Sequence, residues 1–367
     1  MPIHKKDVLI YLNPLYFEDE QVKQKFNQWY EPLKTIQIRA VTALTALLYI
    51  IYSQINQNFE PSSIQVLMNL LQLYILPFSL LFISTLTFWD RFHRLTNLLL
   101  AIAPVVAAAG SLFIIINIKE FYIYLPEIYL IVIWTFSISG LRLVHATISA
   151  SIIFLIASFV GYYFLFDSAF FLIHLLWLFS AFSFGLLNAF LIEKSNIQTF
   201  LKEQKLEYIA TTDRLTGLNN RSKIETVIID EIERAERYKR SVSVVLVDID
   251  HFKSVNDSYG HHVGDIILKE FALVLKNGVR KVDMVGRWGG EEFIIILPET
   301  NIKVAEKAAE HIRINVETFS FSVIKQKTAS FGVSEYIHGD SPQSLINRAD
   351  KALYKAKENG RNQIQTL

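Results

Sequence analysis

The feature that most constrains this chain is a long stretch nearly empty of charge. Between Leu95 and Ile192 the only charged side chains are Lys119, Glu120, Glu127, Arg142 and Asp167. A hydrocarbon core takes roughly 20 apolar residues to cross as a helix. On that measure the sequence predicts six spans, near 38–55, 66–88, 96–117, 121–139, 143–165 and 170–192. Pro126, Glu127 and Gly140 interrupt the fourth and fifth. An all-α transmembrane bundle over 38–192 therefore follows a segment 1–37.

Orientation follows from basic residues in short loops. Lys5, Lys6, Lys23, Lys25, Lys34 and Arg39 precede or open the first span. Arg91 and Arg94 follow the second, Arg142 the fourth, and Lys194 and Lys202 the sixth. The remaining loops hold Lys119 against Glu60, Glu120 and Asp167. This alternation places both termini in the cytoplasm. No charged segment leads directly into a short apolar core with a small-residue cleavage site, so no removable leader is expected. The formal net charge of +1 gives no global basic field of the kind nucleic-acid binders use. The chain has no cysteine, which excludes disulfides, thiolate catalysis and cysteine-based zinc sites.

Within the predicted spans, Glu127 is the acid expected to be buried, and an intramembrane carboxyl marks a functional position by default. Pro77 and Pro104 are expected to kink their helices and to shape a cavity for a sensory ligand that no motif names. Residues 193–212 are polar and free of Gly and Pro, with Ile197, Leu201 and Ile209 at loosely helical spacing. They read as a helix continuing from the last span, either a solvated linker or a short parallel coiled coil between subunits.

Residues 213–367 alternate helix and strand signals. "VSVVLVDID" is a buried strand running into Asp248 and Asp250. "DMVGRW" and "EEFIIIL" flank Gly289-Gly290 as a hairpin, with Glu291 expected at the start of its second strand. Ser341-Pro342 opens the last helix. The economical architecture is α+β, a mainly antiparallel sheet flanked by helices. If the two strands are neighbours, Asp248 meets Glu291 at one sheet edge. Carboxylates that close raise each other's pKa unless a divalent cation separates them. Hard oxygen donors suit Mg²⁺ carrying phosphates, and the paired glycines permit backbone approach to a nucleotide.

Four motifs in order now carry a resemblance. Gly289-Gly290-Glu291-Glu292-Phe293 resembles the signature of GGDEF-domain diguanylate cyclases in its GGEEF form. "DRLTGLNNR" (213–221) resembles the family's opening motif. "DIDHFKSVNDSYGHHVGD" (248–265) resembles its metal and guanine segment, and "ADKALYKAKENGRN" (349–362) its C-terminal helix. The resemblance does not reach the membrane region. It implies an enzyme that joins two GTP into cyclic di-GMP with release of two pyrophosphates. It implies Mg²⁺ or Mn²⁺ on Asp248, Glu291 and the backbone carbonyl of Ile249, with Glu292 in a supporting role. Glu291 would also accept the proton of the attacking 3′-hydroxyl. Asn256 and Asp265 would read guanine, with His261 and Phe252 nearby and Gly289 and Gly290 against the nucleotide. Lys253 would face the phosphates, and Lys357 and Arg361 would hold the β and γ groups. Arg280 and Asp283, an RxxD ahead of the signature, resemble the family's product-inhibition site. One such site cannot close the product ring alone, so a homodimer is implied, which favours the coiled-coil reading of 193–212. The rival reading is a catalytically silent domain that binds GTP or cyclic di-GMP as a regulator.

Overall fold

The computed structural model describes residues 19–56, 62–118, 122, 124–165 and 168–367. Lys5, Lys6, Glu60, Lys119, Glu120 and Asp167, used above for orientation, lie outside the described residues. The chain divides into two compact units at Lys202/Glu203.

The first unit is helical: α1 (Glu20–Asn56), α2 (Ser62–Met68), α3 (Leu76–Leu86), α4 (His93–Ile116), α5 (Leu125–Ser137), α6 (Leu143–Val160) and α7 (Ser168–Thr211). A π-helical stretch, Asn69–Ile75, joins α2 to α3 ahead of Pro77. Among the described residues, five helical stretches are long and apolar enough to cross a membrane. The fourth expected span is the exception. Its helix, α5, has 13 residues, or about 20 Å at 1.5 Å per residue. Pro126 sets its first turn, and Gly140 at φ +76° follows its end. The first helix begins at Glu20, ahead of the expected span, with Pro32 accommodated within it.

Basic residues gather at one end of this unit. Arg39 donates to the Thr87 hydroxyl and carbonyl, each at 2.8 Å, and Lys34 donates to Asn97 Oδ1 at 2.6 Å. Arg142 pairs with Glu193 at 3.1 Å, and Glu193 also accepts the Leu143 amide at 2.9 Å. Ile197 and Phe200 of α7 are buried against Phe26, Trp29 and Tyr30 of α1. The first turns of the 193–212 stretch are thus covered by the chain's own N-terminal helix. Only its later residues, Leu206, Tyr208 and Ile209, leave apolar surface exposed.

The second unit is α+β. Its elements are α8 (Arg221–Tyr238), β1 (Val242–Ile249), α9 (Phe252–Tyr259), α10 (His261–Gly278), β2 (Met284–Gly289), β3 (Glu292–Pro298), α11 (Ile302–Thr318), β4 (Ala329–Glu335), α12 (Pro342–Glu358) and β5 (Ile364–Thr366). The strand order is β2-β3-β1-β4-β5, antiparallel except for β5 on β4. The period-2 pleat divides the strand residues between two cores. Val245, Val247, Phe293, Ile295 and Phe331 face Phe271 of α10 and Ala305, Ala309 and Ile312 of α11. Val244, Leu246, Ile294 and Ile296 face Ile224 and Ile228 of α8 and Leu345 and Leu353 of α12. Gly332 of β4 makes this second layer possible. A Cβ there would stand 2.1 Å from the Ala349 carbonyl and 2.3 Å from the Leu353 nitrogen, so α12 lies with its backbone on the strand.

Candidate active site at the end of β1

The central strand carries its acid to the sheet edge. Asp248 is 7% exposed and lies directly opposite Glu292 of β3 and Ser330 of β4. Glu291 does not begin β3. It lies in the turn with Gly290, and the strand starts at Glu292. A register shift between Arg287 and Gly289, together with φ +38° at Gly290, causes the offset. Glu292, expected in a supporting role only, is therefore the cross-strand partner of Asp248. All three carboxyls are pushed up in pKa. For Asp248 the cause is burial, opposed by Lys357. For Glu291 and Glu292 it is burial followed by the charge of Asp248, again opposed by Lys357.

Lys357, the last basic residue of α12, reaches Asp248 Oδ2 at 2.8 Å. Its ammonium stands where a bound cation would neutralise the carboxylate. Among the described residues no three His, Asp or Glu side chains are grouped closely enough to hold a metal. The donor chemistry nonetheless fits a hard divalent cation: three carboxyls share one edge, each raised by its neighbours or by burial, with a single ammonium against them. Ile249 offers only its backbone, because its side chain is buried in the core.

Two devices fix this edge, and neither was evident in the sequence. Asp250 is buried and accepts from Thr328 Oγ1 and Ser330 Oγ, each at 2.7 Å, and from the Asn362 amide at 3.1 Å. Asn362 in turn accepts from Arg313 and donates to Glu317 of α11. The turn after α12 is thereby anchored to β1, with Arg361 and Asn362 both at positive φ. Non-glycine residues hold that conformation only where surrounding bonds over-determine it. The second device is Arg287. It donates twice to the Gly290 carbonyl, at 2.9 and 2.7 Å, and contacts Asp213 at 3.4 Å. Asp213 also accepts the Thr216 amide and hydroxyl, which with Arg287 hold its pKa down against burial. Asn219 extends the stitching to β2 through its side-chain bond to the Val285 carbonyl.

The other expected residues divide by place. Gly260, at φ +79°, separates α9 from α10. Gly264 packs so tightly that a Cβ there would meet Asn256 Oδ1 at 2.1 Å, which brings Asn256 beside the residue preceding Asp265. His261 and Asp265 are exposed on the first turns of α10. Lys253 is exposed on α9 and makes no ion pair among the described residues. Phe252 is buried in the core beneath α9, with its ring against Gly264, so it supports the segment from inside. Gly289 and Gly290 are exposed at the hairpin tip. Arg280 and Asp283 lie at the far end of β2, about 20 Å of strand from the tip. There the Asp283 carboxylate accepts the Arg280 amide at 2.8 Å, and its second oxygen is buried without a partner. Burial raises the Asp283 pKa, opposed by that amide.

The family described as "Diguanylate cyclase, GGDEF domain" matches residues 210–363. The response regulator PleD of Caulobacter vibrioides is 43% identical over 162 residues, 42% of this chain and 36% of that protein. Diguanylate cyclase A of Treponema denticola is 39% identical over 171 residues, 45% of this chain and 46% of that one. The chain thus spans less than half the length of these two relatives. Among solved structures, the GGEEF domain of a diguanylate cyclase from Vibrio cholerae is 37% identical, covering 41% of this chain and 97% of that one at a TM-score of 0.39. The GGDEF domain of DgcB from Caulobacter crescentus, solved with c-di-GMP, is 34% identical, covering 43% and 95% at a TM-score of 0.42. Residues 210–363 thus form a GGDEF domain, the domain of the diguanylate cyclase family.

Proposed function

We propose that this chain is a membrane-embedded diguanylate cyclase that condenses two GTP into cyclic di-GMP and two pyrophosphates. The observation that carries the reading is the meeting of Asp248, Glu291 and Glu292 at one sheet edge with Lys357 against them. Bound Mg²⁺ or Mn²⁺, held by Asp248, Glu291, Glu292 and the Ile249 carbonyl, supplies charge neutralisation at the phosphates. Lys253, Lys357 and Arg361 bind the phosphate oxygens, and Lys357 leaves Asp248 for them as GTP arrives. Asn256 and Asp265 hold the guanine edge, with His261 beside them. Glu291 takes the proton of the 3′-hydroxyl as its oxygen attacks the α-phosphorus of the second GTP, and pyrophosphate departs in line. Two such domains face each other to close the ring, so the active species is a homodimer.

Product feedback through Arg280 and Asp283 belongs to the same reading. Arg280 offers an exposed guanidinium beside the Asp283 carboxylate, a pair of residue types suited to the O6/N7 edge and the N–H groups of guanine. In this reading the protein resides in a bacterial inner membrane with both termini cytoplasmic. Five long apolar helical stretches and the gathering of Lys34, Arg39 and Arg142 at one end support this placement. Helix α7 runs unbroken from Ser168 to Thr211, and through it the membrane region sets the catalytic rate.

The test is product identification with the full chain, GTP and Mg²⁺. Cyclic di-GMP is the expected product. GTP binding without turnover under every condition tried would favour the silent regulator instead.

A further inference from the structure

We infer that the helical unit holds a binding site for a lipid-soluble amine, a ligand with one protonated nitrogen on an apolar body. The inference rests on the sensor reading above and names the chemistry of its ligand. A cavity of about 500 Å³ lies among α1, α3, α4 and α5. That volume falls within the range that small-molecule sites occupy. Its walls are apolar but for a few groups, and Glu127 is their one carboxyl. No Lys, Arg or His appears among the described residues that line it.

The polar groups are held in place. Glu127 Oε1 accepts the Ser111 hydroxyl at 2.8 Å, and the Tyr52 hydroxyl bonds the same carboxyl. Both partners are neutral, and among the described residues no cation pairs with the carboxyl. Trp134 donates its indole N–H to Thr45 at 2.9 Å, which fixes that ring in the cavity wall. Tyr49 and Tyr52 add two further aromatic faces. Aromatic faces around a carboxylate favour an ammonium, which pairs with the one and lies over the others. An anionic amphiphile would meet like charge there, and a neutral acyl chain would leave the carboxyl uncompensated in an apolar medium. Pro104 and Pro126 also line the cavity. At the rim Leu48, Ile55 and Leu130 are 54%, 53% and 63% exposed. The mouth therefore opens on an apolar flank, where an amphiphile dissolved in the bilayer would enter.

The test uses the full chain in nanodiscs of zwitterionic lipid, with a terminally brominated dodecylamine as quencher of Trp134. Brominated dodecanol and dodecanoate serve as chain-matched controls, and Trp134→Phe gives the background from the other tryptophans. Saturable quenching by the amine is expected. Glu127→Gln should weaken it by about tenfold or more, as loss of one charge-assisted contact requires, while leaving the alcohol unchanged. Leu130→Phe, which narrows the mouth without touching the carboxyl or adding a tryptophan, should weaken amine binding as well and guards against a Glu127 variant that fails to fold. Equal affinity for amine and alcohol, or an amine affinity unchanged in Glu127→Gln, would overturn the proposal. So would a mouth sealed by a second copy, seen as amine-insensitive cross-linking between Leu48→Cys protomers. GTP turnover is followed in the same samples. Amine binding that leaves turnover unchanged supports the site and removes the sensor reading, whereas turnover without amine binding overturns the site alone.

Discussion

Two carboxylates, one in each unit, show how differently the halves of this chain treat charge. Asp248 ends a central strand and finds its cation inside the protein, 2.8 Å away on Lys357. Glu127 is the one charged residue of its helix and finds two neutral hydroxyls and a cavity. A carboxylate with an internal counter-ion is poised for exchange, since an incoming cation can replace the ammonium and free it for phosphate. A carboxylate with no counter-ion among the described residues suits instead a cation from outside the chain. The catalytic unit thus carries its chemistry in charged residues brought together by a sheet. The helical unit carries its chemistry in one acid set among apolar walls.

The largest expected effect breaks the catalytic side of this contrast. Glu291→Gln should lower cyclic di-GMP formation by a factor on the order of 10²–10³, the usual loss when a preorganised electrostatic group is removed. Amide exchange in β1 and β3 should stay as in the native chain, because Glu291 lies in the turn. Activity surviving the change would mean that Glu292, opposite Asp248, carries the role instead.

Lys357→Met comes next. It leaves Asp248 buried without its cation, which should cost about 1–3 kcal/mol of local stability at the end of β1. Faster amide exchange at Asp248 and Ile249 would show it, and Mg²⁺ should restore protection more strongly than in the native chain. Protection indifferent to Mg²⁺ would argue that the ammonium is merely structural.

Arg287→Lys should act more mildly. One ammonium cannot reproduce the two parallel donations to the Gly290 carbonyl together with the contact to Asp213. A fall in kcat of about threefold to tenfold is expected with KM for GTP little changed, because the fork positions the turn without touching substrate. A loss confined to KM would place Arg287 on the nucleotide.

The smallest effect lies away from the site. Arg348 holds the Asp340 carboxyl at about 2 through bonds of 2.8 and 2.5 Å. Because the folded value is below the unfolded one of about 3.9, this stabilisation is fully present above pH 4. It is lost as pH falls toward 2. Arg348→Met should flatten that part of the stability profile and leave catalysis at neutral pH unchanged.

Much of this was legible because period and punctuation are local. The apolar run of "VSVVLVDID", the paired glycines and Ser341-Pro342 each report their own element, and the sheet follows from them. What stayed hidden depends on contacts far apart in sequence. Nothing near Asp250 announces Thr328, Ser330 and Asn362 as its partners, and Arg287 acquires its role only when the hairpin turn curls back under it. The exchange of places between Glu291 and Glu292 came from a register shift in β2, and a one-residue shift is enough to change which side chain faces the neighbouring strand. Helix α5 fell short of a full span because Pro126 and the turn at Gly140 bound it, two breakers that the sequence displayed but whose effect on length it did not state. Ile197 had the spacing of a coiled-coil residue, yet the aromatic cluster on α1 claims it within the chain.

The most direct test of the central claim is manganese binding in the presence of GTP, followed by electron paramagnetic resonance on the full chain and on Asp248→Asn. If the end of β1 is the metal site, the native chain immobilises Mn²⁺ with GTP, and Asp248→Asn weakens that binding by about tenfold or more. Equal Mn²⁺ affinity in the two proteins would contradict the account, since the carboxylate paired with Lys357 would then have no part in holding the cation.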